Sequence, residues 1–70
     1  MEIDLDVFRT YIGEFVAIGV PHSADPMMTY FHYGTLTKIS GSAVHVQTNK
    51  GMMFIDVHHI VEFQTMEKRQ

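Results

Sequence analysis

The chain predicts a mostly-β fold, in which a short N-terminal helix precedes five strands wrapped into one small, strongly bent antiparallel barrel. Three observations carry this prediction. Apolar residues recur at helical spacing only in the first dozen positions, where Leu5, Phe8 and Ile12 are in step and Tyr11 lies beside them. From Phe15 onward the apolar period changes to two. The later apolar segments are short and separated by turns rich in Gly, Ser and Asn.

The helix is expected over about residues 4–12. Asp4 or Asp6 can cap its start, and Gly13 is placed to end it as the C′ residue. Phe15-Val16-Ala17-Ile18-Gly19-Val20 reads as a first strand, residues 15–20, stopped by Pro21. A long loop over residues 21–29 follows, with the turn formers His22-Ser23-Ala24-Asp25-Pro26. The second strand, residues 30–39, has apolar anchors Leu36 and Ile39 only three apart. A regular pleat cannot point both to one side, so a bulge or a sharp coil between them is expected, with Gly34 helping the strand to bend. Ser40-Gly41-Ser42 makes the next turn and residues 43–48 the third strand. Asn49-Lys50-Gly51 is the clearest hairpin turn, because Asn and Gly tolerate positive φ. Residues 52–57 form the fourth strand, residues 60–64 a short fifth, and residues 66–70 a polar tail.

The composition bounds what such a domain can do. Seventy residues make one domain. A chain this short buries only about 60% of the surface its unfolded form exposes. With no cysteine there is no disulfide or thiolate metal site to stabilise it, while hydrophobic residues reach 46%. Self-association is the expected outlet for the excess apolar surface. The net charge of −3 lacks the basic field of a duplex-binding protein. Nucleic-acid contact is therefore expected to be local, on single strands. Glu2, Asp4 and Asp6 stand where a signal peptide carries positive charge, and no apolar run reaches a membrane-spanning length. A soluble cytoplasmic protein is the expectation.

The fourth strand is strongly apolar at Met52-Met53-Phe54-Ile55, and the fifth is short. If these two flank the gap of the barrel, each presents unpaired backbone beside apolar side chains and needs a partner. Pairing the fourth strand with a neighbour's fifth is heterologous, and such an interface closes into a ring. The expected interface residues are Met52, Met53, Phe54, Ile55, Ile60, Val61 and Phe63.

Catalysis finds little support. Glu2, Asp4, Asp6 and Glu14 crowd the N-terminal segment, Asp25, Asp56 and Glu62 are scattered, and no phosphate loop or nucleophile elbow occurs. No cofactor is expected. His22, His32, His45, His58 and His59 show no paired metal-ligand spacing, so ordinary surface or half-buried histidines are the expectation and a metal site is not. Tyr30, Phe31, Tyr33, Phe54 and Phe63 could stack on bases, but strand aromatics more often belong to the core and sheet surface.

One helix and five short strands fit SH3-like, Sm-like and OB-type barrels. Among these the apolar skeleton resembles the Sm-like family. Gly34, Leu36 and Ile39 follow the spacing of that family's first motif, with Ala43, Val44 and Val46 in its second part. Gly51, Ile55, Ile60 and Phe63 fall on the spacing of its second motif. The resemblance covers roughly residues 15–64 and rests on glycine and apolar spacing. It departs at Ser40, where the family has Asp, at Val44 in place of an RNA-contacting Asn, and at Asp56-Val57 in place of Arg-Gly. His58 falls on the histidine of a Lys-His pair in bacterial members, with Val57 at the lysine position. Such divergent members occur in bacteriophage and environmental sequences.

The resemblance implies a non-catalytic subunit of a homo-oligomeric ring that binds single-stranded RNA or an RNA-associated protein. Family rings have six or seven members, and the altered strands allow five. The turns after strands two and four would supply the contacts, from Ser40, Gly41, Ser42, Asp56 and His58, with Lys50 meeting phosphate from the third turn. The alternative is a structural or adaptor barrel that binds a protein partner and has no nucleic-acid role.

Overall fold

The computed structural model describes residues 5–66. It contains helix α1 (Leu5–Thr10), strands β1 (Phe15–Pro21), β2 (Thr29–Ser40), β3 (Ala43–Thr48) and β4 (Gly51–Asp56), a 3-10 turn (Val57–His59) and strand β5 (Glu62–Met66). All strand pairings are antiparallel and form one sheet in the order β4-β3-β2-β1-β5. The expected mostly-β class is therefore observed, as a small bent sheet compatible with a barrel. The fourth and fifth strands are its two edges.

The sheet wraps an apolar core because each strand turns its alternate residues inward. Val16 and Ile18 of β1, Leu36 of β2, Val44 and Val46 of β3 and Ile55 of β4 are buried together. Phe8 of α1, Val57 and Ile60 complete the cluster. The ring of Phe8 meets Phe63 of β5 edge-on, with centroids 4.7 Å apart, so the helix closes the core beside an edge strand.

The bulge expected between Leu36 and Ile39 is present. Leu36 opposes Val46 and Lys38 opposes His45, which leaves Thr37 as the extra residue. Its hydroxyl donates to the His45 carbonyl at 3.1 Å. Gly34 is required for a different reason from bending alone. A β-carbon there would collide with the Gln47 carbonyl oxygen and the Val46 side chain, so β2 and β3 meet only because the position is bare.

Several boundaries differ from the sequence expectation. The helix stops at Thr10, since Tyr11 and Glu14 donate to the carbonyls three residues back, of Phe8 and Tyr11, both at 2.9 Å. That tightening turns Ile12 out to 46% exposure. Gly13, at φ +96°, lies in the following turn and not at C′, and its N–H donates to the Leu36 carbonyl at 2.7 Å. In the β3–β4 hairpin the positive φ falls on Gly51 alone, at +129°, and Asn49 adopts none. The Thr48 hydroxyl holds this turn, accepting from Lys50 N–H at 3.1 Å and donating to the Gly51 carbonyl at 2.8 Å. Strand β4 starts at Gly51 and ends at Asp56, and β5 starts at Glu62, because the intervening chain forms the 3-10 turn. Asp4 and the last four tail residues, 67–70, lie outside the described residues.

Candidate loop site and open sheet edges

The β2–β3 turn and the 3-10 turn after β4 lie at the same end of the sheet, because Ala43 opposes Asp56 across the β3–β4 pair. Val57 N–H donates to the Ser42 carbonyl at 2.8 Å and ties the two together. Ser40, Gly41, Ser42, Asp56 and His58 are thereby brought into one exposed rim. Lys50 is not. It sits in the hairpin at the far end of β3, a strand of six residues or about 20 Å away. The fourth strand runs back toward Ser42, so consecutive hairpin turns fall at opposite ends.

Asp56 organises this rim. It is the N-cap of the 3-10 turn, and its Oδ1 accepts from His58 N–H at 2.8 Å. The same oxygen lies 2.9 Å from His58 Nδ1, with the imidazole and carboxyl both largely in solvent. The His58 backbone donor, and then its ring, hold the Asp56 carboxyl below the usual carboxylate range. The rim therefore carries a negative charge beside the His58 ring. An ionised carboxylate there can accept hydrogen bonds and repels other anions.

The two open edges differ in what they show. On β4, Phe54 is 66% exposed and Met52 42%, while Met53 is half-buried. The His45 ring packs edge-on against Phe54 with centroids 4.5 Å apart. Ile55 and Ile60 are corrections to the expected interface: at 7% and 3% exposure they belong to the core of the domain itself. Val61 is exposed and donates its N–H to the Gly19 carbonyl at 2.9 Å, just before β5 begins. Phe63 is half-buried under α1, against Phe8 and Tyr11.

Several other polar groups have local partners. Asp25 Oδ1 accepts from Met27 N–H at 3.0 Å, and His22 Nδ1 accepts from Ala24 N–H at 3.1 Å. These bonds order the β1–β2 loop, which presents Met27 at 91% exposure. Glu62 accepts from the Gln64 amide at 2.7 Å, and Asp6 pairs with Arg9 at 3.0 Å. Among the described residues no polar side chain is buried and no cluster of three metal-ligating groups forms. Sequence reasoning missed the Thr48 clamp, and its signal was a hydroxyl immediately before an Asn-Lys-Gly turn.

No helix among the described residues is long and apolar enough to cross a membrane. The chain matches no protein-family model and no curated protein.

Proposed function

We propose that the chain is a non-catalytic, Sm-like ring subunit that binds single-stranded RNA at its loop rim. One observation carries the reading: the sheet ends in two unpaired strands, β4 and β5, of six and five residues. Their near-equal length suits head-to-tail pairing, and the exposed Phe54 and Met52 would be covered by it. The joined Ser40–Ser42 and Asp56–His58 turns would then repeat around the ring, so that a weak site gains avidity. Within each copy, the serine hydroxyls would meet base edges, Asp56 would accept from amino groups and His58 would stack.

Native mass spectrometry combined with filter binding to short U-rich and A-rich RNAs tests both halves. The expected result is a single closed oligomer that retains RNA at low salt. A monomer, or a ring that binds neither RNA, would overturn the reading. A second reading, an adaptor barrel for a protein partner, is favoured by the ionised Asp56 in the rim and by the distance of Lys50 from it. A ring without RNA affinity would select it.

A further inference from the structure

Strand β2 is twice as long as β3. Residues 35–40 of β2 pair with β3, while residues 29–35 pair with β1 on the other side. Residues 29–34 therefore have a strand on one side only among the described residues. This is a third open edge, separate from β4 and β5. In an antiparallel sheet alternate residues turn their backbone donors and acceptors toward each neighbour, so about three residues here present an unused set.

The open edge does not face bulk solvent directly. The tip of the β3–β4 hairpin stands opposite it, and the two enclose a groove of about 650 Å³. Its β2 wall carries the tilted rings of Phe31 and Tyr33, with centroids 6.4 Å apart. Met52 and Met53 supply apolar surface opposite, and Lys50 stands in the lining. Among the described residues no carboxylate lines the groove, although the chain as a whole carries a net charge of −3. Lys50 makes no ion pair among the described residues.

We infer that this groove takes an extended, acidic peptide segment of a partner protein, added as a strand along residues 29–34 of β2. The segment would continue the line that β3 abandons at Thr48 and would be about six residues long. Its main chain would satisfy the unused β2 backbone groups, giving affinity that is independent of sequence. Alternate apolar side chains would rest on Phe31, Tyr33 and the methionines, and a carboxylate would meet Lys50. Single-stranded RNA fits less well: the edge repeats its donors and acceptors at strand spacing, and one cation neutralises little of a phosphate chain. The inference is independent of ring assembly, which uses the other two edges.

Fluorescence anisotropy with two labelled octapeptides, one alternating valine with glutamate and one alternating valine with lysine, tests it. The glutamate peptide should bind about tenfold tighter, and Lys50→Glu should reverse that order. Amide hydrogen exchange on the unaltered protein should show slowing within residues 29–34 when the glutamate peptide is bound. N-methylation of alternate peptide residues should abolish binding. Equal affinity for the two peptides, or protection at β4 or β5 in place of β2, would overturn the inference. So would protection of residues 29–34 by a U-rich RNA but by neither peptide, or protection that grows with protein concentration alone.

Discussion

At the scale of single residues, two positions make sharp demands. Gly34 admits no side chain against the Gln47 backbone, and backbone cannot move aside as a flexible side chain can. Gly34→Ala should cost about 2 kcal/mol, read from chemical denaturation midpoints. His32, on β2 opposite Ile18, is the other. Its half-burial lowers its pKa from the ordinary 6.5, so the folded state prefers the neutral ring. The unfolded chain then takes up its proton first as pH falls. The contribution is intact above pH 6.5 and declines as pH drops from there toward the lower folded value. His32→Phe should shrink the difference in Tm between pH 7.5 and pH 5.5. Asp56 acts in the same direction over a lower range: its depressed pKa adds stability above the ordinary carboxylate value, and acid removes it.

At the scale of elements, how much the sequence reveals depends on whether a signal is local. The irregularity at Thr37 was legible, because Leu36 and Ile39 three apart require a bulge or a sharp coil, and the register shows the bulge. The inward face of β4 was not. Met52-Met53-Phe54-Ile55 is apolar at every position, so period two cannot say which pair faces the core, and only the pairing of Val44 with Ile55 decides. The start of β5 was misplaced for a related reason. Ile60 is as apolar in the C-cap of a 3-10 turn as it would be in a strand. The turns of the rim were legible: both were identified, and Lys50 was assigned to the third turn, which falls at the other end because successive hairpin turns alternate ends. For the hairpin itself, Thr48→Ala removes a side chain that bonds both sides of the turn, and should cost about 1 kcal/mol. Exchange of the β3–β4 amides should accelerate with it.

At the scale of the whole molecule, the proposals rest on three open edges in one seventy-residue chain. Phe54→Lys places a charge on the exposed face of β4, where it leaves the core untouched. In sedimentation the variant should run as an 8.0 kDa monomer, whereas the unaltered chain should run as the proposed ring. RNA binding to that ring should fall about tenfold with Asp56→Asn and stay unchanged with Lys50→Ala. Its salt dependence should also be shallow, since a rim that reads bases through an ionised carboxylate releases few counterions. A steep slope would mean that phosphates are held elsewhere.

The pairing of Phe15 with Met66, under the contact of Phe8 with Phe63, joins the first described elements to the last. Order of appearance during synthesis therefore matters. A chain emerging from the ribosome can form the β1–β2 and β3–β4 hairpins early, since each closes over a short loop. The helix, however, lacks its Phe63 contact until β5 has emerged, and β1 meanwhile keeps a bare edge. Closure of the long loop between them is the slow step expected of such non-local pairing. Until it happens, the nascent domain exposes the β1 edge in addition to those that the folded sheet leaves open.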